Sequence, residues 1–187
     1  MTGDKKNRAV FFDRDGVIFA PVKKESSGKQ FRETGATRAP YSIAEFLAAG
    51  GVMEGAEAVL RALRDRGFLT ILATNQPDVG YGHLTREEWE RIHAHATSLP
   101  FDDMFVCFHG RDDGCDCKKP RPGMLFEAAH KWSIDLTTSY FVGDTESDTG
   151  AAKAAGCKSI LIDAWYNRDV LSDFKIPHLQ DLVKIVR

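Results

Sequence analysis

The stretch Ala9-Val10-Phe11-Phe12-Asp13-Arg14-Asp15-Gly16-Val17 decides how the rest of the chain is read. Four apolar residues in a row, with polar chain before them and charge after them, have the length and composition of a strand buried on both faces. Asp13 and Asp15 follow it directly. Alternate residues of an extended chain face the same side, so two carboxylates just past a strand end can converge on one point, with Gly16 supplying a turn. Such a pair suits a nucleophile beside an acid that handles protons. An acidic turn is one competing reading and a calcium loop another. The calcium loop lacks a third oxygen ligand before the glycine and a Glu beyond it, with Phe19 and Val22 in the way.

Outward from this strand, apolar residues alternate between short β-rich runs and helical periods. Strands are expected at Ala9–Phe12, Phe68–Ala73, Met104–Phe108, Tyr140–Val142 and Ser159–Ile162. Helices are expected over Val52–Arg66, Thr85–Leu99, Gly123–Trp132, Asp148–Ala155 and Leu179–Val186. Thr85 and Glu88 have the spacing of a capping box, and Gly67 and Gly156 stand where helices stop. The alternation predicts an α/β fold: a Rossmann-like three-layer sandwich with a mostly parallel central sheet and no large cap domain. One domain over residues 1–187 is expected. Ligands of such sheets bind at the carboxyl ends of the strands, next to the switch point. The polar insertion at 21–40 breaks the rhythm. It reads as a mobile loop near the end of the first strand, a lid or flap, with a solvated insertion of no consequence as the alternative.

With 43% hydrophobic and 28% charged residues, the 187-residue chain can build a full-sized core without staples. A formal net charge of −2 argues against a basic coat for nucleic acid. No apolar run approaches the ~20 residues that span a bilayer. Only four apolar residues follow the basic N-terminal stretch, short of the roughly 7–15 of a secretory signal. A cytoplasmic monomer is expected, with a small phosphorylated metabolite as its partner and neither nucleic acid nor membrane.

Three further motifs fall at predicted strand ends or helix starts. Thr74-Asn75-Gln76 places a hydroxyl and two amides after the second strand, groups that donate to an anion without adding charge. Asp144, with Asp148 four residues on, follows the fourth strand and offers oxygen to a hard cation such as magnesium. Lys118-Lys119-Pro120 precedes a helix and supplies positive charge for a phosphate. Together, in this order, these motifs resemble those of the haloacid dehalogenase superfamily of phosphotransferases, from about Arg8 to Ile162. That resemblance implies a phosphatase in which Asp13 attacks phosphorus and Asp15 is the general acid and base. It further implies that Thr74 and Lys119 bind the transferring phosphoryl group, with Asn75, Gln76 and Lys118 contacting substrate. Mg2+ would be held by Asp13, the backbone carbonyl of Asp15 and Asp144, with Asp148 supporting from behind.

Cys107, His109, Cys115 and Cys117 form a Cys3His set, a familiar tetrahedral zinc composition whose closed ligand shell points to a structural ion. This zinc-binding loop, residues 107–117, runs directly into Lys119 and is read as fixing that lysine. Unrelated cysteines are the alternative. The loop is similar to one in a superfamily branch that contains heptose bisphosphate phosphatases and histidinol-phosphate phosphatases. Pro122-Gly123-Met124 resembles the heptose enzymes, and the short gap between His109 and Cys115 resembles the histidinol-phosphate enzymes. The implied substrate is a heptose or related sugar (bis)phosphate, with histidinol phosphate second. A nucleic-acid 3′-phosphatase and a non-catalytic binding module stay open behind them. Lys118 stands where Arg is usual, Thr145 where a basic residue is common and Phe19 where Asn is usual. With the 21–40 insertion, these departures are expected to mark where specificity is decided. His93 and His95, two apart on a predicted helix, point in different directions and do not suit a metal pair, and His83, His130, His178, Cys157 and the tryptophans Trp89, Trp132 and Trp165 are read as packing or surface residues.

Overall fold

Ala9, Val10, Phe11 and Phe12 have no exposed surface, because they form the middle of the molecule. They belong to strand β1 (Arg8–Phe12). Ala9 and Phe11 pack into one core with Ile71, Met124, Leu125 and Phe141. Val10 and Phe12 pack into another with Leu60, Leu63, Ile92 and Val142. The two-residue period of a strand thus separates two apolar layers, one on each face of the sheet. The computed structural model describes residues 6–23 and 37–187.

The other strands of this sheet are β4 (Phe68–Asn75), β5 (Asp103–Cys107), β6 (Tyr140–Gly143), β7 (Lys158–Ile162) and β8 (Phe174–Ile176). All pairs are parallel, in the order β5-β4-β1-β6-β7-β8. The chain therefore builds outward from β1 in one direction and returns to build in the other. The switch point lies between β1 and β6, where crossovers leave for opposite sides and a crevice opens at the carboxyl ends. Asp13 follows β1 and Asp144 follows β6.

Helices α1 (Ile43–Ala49), α2 (Ala56–Asp65), α3 (Arg86–Thr97), α4 (Gly123–Trp132), α5 (Glu146–Ala155) and α6 (Leu182–Ile185) cover the sheet. The expected three-layer arrangement is present. Three expectations need correction. α2 begins four residues after Val52, because Val52 bridges Phe19 and Met53 donates to the Ile18 carbonyl, so long-range pairing overrides the helical period. The expected C-terminal helix is a 3-10 turn over Leu179–Asp181 followed by α6. α1 and β8 were not anticipated. α1 is seven residues long with only Phe46 buried, and β8 is three residues long and largely exposed.

The flanks of the polar insertion form a short antiparallel pair, β2 (Val22–Lys23) with β3 (Thr37–Arg38). Residues 24–36, where the expected lid falls, lie outside the described residues. Among the described residues, no helix is long and apolar enough to cross a membrane.

Candidate active site

The turn after β1 is drawn tight by backbone bonds. Ile18 and Phe19 N–H both donate to the Arg14 carbonyl, Gly16 N–H donates to the Phe19 carbonyl, and Asp13 N–H donates to Val142 of β6. Gly16 sits at φ +92, and a side-chain carbon there would collide with the Asp144 carboxylate. The glycine lets the first loop and the end of β6 approach each other.

Asp13 and Asp144 meet at this crevice. One ligand oxygen each from Asp13, Asp144 and Asp148 fall within 4.8 Å of one another. Lys119 Nζ, buried, lies 2.6 Å from Asp148 Oδ1 and 2.9 Å from Asp13 Oδ1. The Asp13 contact is an ion pair whose angles fall short of a hydrogen bond, so Oδ1 of Asp13 has no donor. Oδ1 of Asp15 and Oδ1 of Asp144 are likewise buried without one. Burial raises the Asp13 carboxyl to about 6; Lys119 opposes this, and the charges of Asp148 and Asp15 add to it. Burial also pushes Asp144 well above the usual carboxylate range, reinforced by Asp148 and Asp13. Lys119 is held firmly protonated, because Asp13 and Asp148 outweigh the effect of its burial. Four carboxylates (Asp13, Asp15, Asp144, Asp148) face two cations (Arg14, Lys119), a deficit that one divalent cation would cancel. Orphaned carboxylate oxygens at a carboxyl-terminal crevice fit such an ion.

Asp15 is held by three bonds on one oxygen. Arg14 Nε and Nη2 donate to its Oδ2 at 3.2 and 3.0 Å, and Gln76 Nε2 at 2.7 Å. Arg14 is fully buried, bonds Gln76 Oε1 at 2.6 Å and lies over the Phe19 ring. Gln76 also donates to Thr74 Oγ1 at 3.2 Å. Asn75 grips the Lys119 backbone, its Nδ2 donating to the carbonyl at 3.1 Å and its Oδ1 accepting from N–H at 3.0 Å. The amides expected to contact substrate are therefore engaged by protein: Gln76 orients Asp15, and Asn75 carries Lys119. Lys118 Nζ donates to the His109 carbonyl at 3.0 Å, bracing the loop.

Two of the expected specificity positions are structural. Phe19 is fully buried edge-on against Phe46 at 4.8 Å. Thr145 caps α5 in a reciprocal capping box, its Oγ1 donating to Asp148 Oδ2 at 2.6 Å while its N–H donates to the same oxygen. At Thr85 the box is only half made, because Glu88 turns to bond Ile43 N–H.

Cys107 ends β5, and the loop after it brings His109, Cys115 and Cys117 back against it. Their ligand atoms lie within 4.8 Å of one another. Cys107 Sγ is 3.8 Å from Cys115 Sγ and 3.1 Å from Cys117 Sγ, and His109 Nδ1 is 3.2 Å from Cys117 Sγ. A tetrahedral ion with Zn–S of about 2.3 Å would set sulfurs about 3.8 Å apart. The donor set and its closeness fit zinc. Burial and the neighbouring thiols push Cys117 up to about 12, a proton that a bound cation would displace. Arg121 and Lys118 both bond carbonyls of this loop.

Three site residues had not been anticipated: Arg14, Tyr166 and Asn167. Tyr166 Oη donates to Asp144 Oδ2 at 2.5 Å, and Asn167 Nδ2 donates to the Asp144 carbonyl at 2.7 Å. Both follow β7 at the carboxyl edge of the sheet, the one signal that could have found them. His93 stacks on Trp89 at 4.5 Å and His95 packs on Phe46 at 4.8 Å, while His83 pairs with Asp78 at 3.0 Å. His93 and His95 thus pack against different aromatic rings. A cavity of about 440 Å³ opens beside Asp144, with Thr37, Arg111, Thr145, Ser147 and Tyr166 on its wall. A second, of about 400 Å³, lies against Lys118, Lys119, Arg121 and again Arg111.

Comparison with known proteins gives the family. A D-glycero-beta-D-manno-heptose-1,7-bisphosphate 7-phosphatase of Pseudomonas aeruginosa is 37% identical over 112 residues, 57% of this chain and 62% of that protein. The match thus spans less than two thirds of that relative's length. A D-glycero-alpha-D-manno-heptose-1,7-bisphosphate 7-phosphatase of Burkholderia mallei is 33% identical over 170 residues, covering 84% of this chain and 80% of the relative. The crystal structure of a D,D-heptose 1,7-bisphosphate phosphatase from B. bronchiseptica, complexed with magnesium and phosphate, superposes with TM-score 0.73 and 27% identity. It covers 95% of this chain and 97% of that one. Residues 22–156 match the haloacid dehalogenase-like hydrolases, and with the relatives above this shows that the chain belongs to that family.

Proposed function

We propose that this chain is a divalent-cation-dependent phosphatase acting on a sugar bisphosphate, with heptose 1,7-bisphosphate first, through a phosphoaspartate at Asp13. The observation that carries the reading is the convergence of the buried Asp13 and Asp144 carboxylates, each with an oxygen that accepts no hydrogen bond, beside the charged Lys119. Asp13, Asp144 and the Asp15 backbone carbonyl would hold Mg2+, which lowers the repulsion between an anionic nucleophile and an anionic phosphate.

The chain's own residues then divide the work. Lys119 and Thr74 bind phosphoryl oxygens. An Asp13 oxygen forms a bond to phosphorus as the phosphorus–oxygen bond to the sugar breaks. Asp15, aimed by Arg14 and Gln76, gives its proton to the departing sugar oxygen. It then takes a proton from water as that water's oxygen bonds phosphorus and the Asp13–phosphorus bond breaks. Two moderate barriers replace one very high one. Arg111 lines both cavities and would offer its cation to the second phosphate. Zinc on Cys107, His109, Cys115 and Cys117 would hold the loop that carries Lys119.

The test is phosphate release, with Mg2+, from both heptose 1,7-bisphosphate anomers, histidinol phosphate, an aryl phosphate and a 3′-phosphorylated DNA end, alongside Asp13→Asn. The heptose substrates should be fastest, lose one phosphate and leave acid-trapped label on Asp13. Equal, negligible release by wild type and variant on every substrate refutes the reading.

A further inference from the structure

Resting on the cation site proposed above, we propose that Tyr166 is a positioning residue that restricts Asp144 to ligation through one oxygen. It thereby biases the site toward Mg2+ over Ca2+.

Asp144 is nearly fully buried, and its two oxygens differ. Oδ2 accepts the Tyr166 phenol at 2.5 Å, whereas Oδ1 has no donor at all. Gly16 closes against the same carboxylate from the other loop, with no room there even for a methyl group. The carboxylate is therefore confined, with only Oδ1 left to bind.

The donor is itself held in place. Asn167, also nearly fully buried, donates to the carbonyl of Asp144 at 2.7 Å and to that of Ile162 at 2.8 Å, and its Oδ1 accepts from Ala164 N–H at 3.0 Å. The residue next to Tyr166 thus grips the backbone that carries Asp144. Neighbouring residues of one loop fix both the main chain and the side chain of the same aspartate, although neither touches the reacting atoms.

Ion chemistry supplies the consequence. Ca2+ takes about 6–8 oxygens and readily accepts both oxygens of one carboxylate, whereas Mg2+ demands near-octahedral single-oxygen ligation. A phenol seated on Oδ2 removes the bidentate option and leaves the Mg2+ mode intact. Removing the hydroxyl frees the second oxygen and loosens the first.

The experiment measures cation binding without substrate. Wild type, Tyr166→Phe, Tyr166→Leu and Asp144→Asn, each with its zinc retained, are freed of Mg2+ by dialysis. Each is titrated with Mg2+ and with Ca2+ by competition against Mn2+ followed by electron paramagnetic resonance. Both Tyr166 variants should bind Mg2+ about tenfold or more weakly, the loss usual for a group that orients a metal ligand. Ca2+ affinity should fall less or rise, so that the Mg2+/Ca2+ ratio drops severalfold. Parallel losses for both ions would assign Tyr166 a merely structural part and overturn the inference, as would unchanged binding. Wild type that binds neither ion, like Asp144→Asn, would overturn the cation reading itself and this inference with it.

Discussion

Replacing Asp13 by Asn should abolish turnover and yet leave the metal-free protein more stable at neutral pH. The side chain is only 15% exposed, and its carboxyl is raised from 3.8 to about 6, with burial the main cause. Because the folded protein holds this proton more tightly than the unfolded chain, the group favours the fold fully below pH 3.8. That advantage is lost as pH rises through about 6. At about 1.4 kcal/mol per pKa unit, keeping the carboxylate ionised in the folded protein above pH 6 costs about 3 kcal/mol. Asn removes that cost and also removes one partner of Lys119, which keeps Asp148 at 2.6 Å. That cost is already net of the Lys119 attraction; taking half of it, and about 2–4 °C per kcal/mol for a chain of this size, the variant should melt at least about 3–6 °C higher at pH 7.5.

The assay is a melting series without divalent cation from pH 4 to 8, repeated with Mg2+. The gap between variant and wild type should open through pH 6 and be absent at pH 4. Mg2+ should raise the melting temperature of wild type and scarcely that of Asp13→Asn, since ion binding to the folded state adds stability only where the ligand remains. A metal-free variant that melts several degrees below wild type at pH 7.5 would refute the reasoning. So would an equal Mg2+ shift in both proteins.

Three further outcomes follow from the same contacts. Asn75→Ala, which removes both bonds to the Lys119 backbone, should destabilise by about 1–3 kcal/mol and lower kcat roughly 10²-fold through misplacement of the lysine; thermal melts and steady-state kinetics check it, and unaltered kcat would remove the positioning role. Gln76→Leu should lower kcat/KM for a sugar phosphate far more than for nitrophenyl phosphate, whose leaving group needs no proton; equal losses would show that Gln76 does not serve the Asp15 acid. Elemental analysis should find about one zinc per chain, lost in Cys115→Ser together with melting temperature and activity; zinc content unchanged by the substitution would displace Cys115 from the site.

What was legible in the sequence was whatever depends on contiguous residues. The β1 run and the chemistry after it are local, so Asp13, Asp144 and Lys119 meet at one crevice and Cys107, His109, Cys115 and Cys117 gather as one cluster, as their motifs suggested. Helix α4 matches its predicted bounds, Gly123–Trp132. What was not legible depends on which atoms remain free after folding. Asn75 and Gln76 look like substrate donors until the structure shows their amides taken by Lys119, Asp15 and Arg14. Arg14 alternates out of phase with the two aspartates, and in a straight strand it would point away from them. The turn at Gly16 brings its guanidinium back onto Asp15. Phe19 and Thr145 depart from the family pattern in residue type, yet one fills the core and the other caps a helix, roles that only the folded chain reveals. Tyr166 and Asn167 sit about twenty residues beyond the last motif and are joined to Asp144 only through the third dimension.

Asp148 shows why residue type alone could not divide these roles. It stands at the third position of α5, where a negative charge is favoured by the helix N-terminus. Its Oδ2 takes the N–H of Asp144 at 3.2 Å, the N–H of Thr145 at 3.0 Å and the Thr145 hydroxyl at 2.6 Å, and its Oδ1 takes Lys119 at 2.6 Å. That close approach needs Gly143, where any side chain would strike the Asp148 carboxylate. Both oxygens of Asp148 are thus bonded within the protein. Asp13, Asp15 and Asp144 lie close by with the same chemistry, but each keeps one buried oxygen that accepts no hydrogen bond. The carboxylate whose bonds are complete is a strut between β6, α5 and the lysine loop. The carboxylates whose bonds are incomplete are the ones with something left to hold.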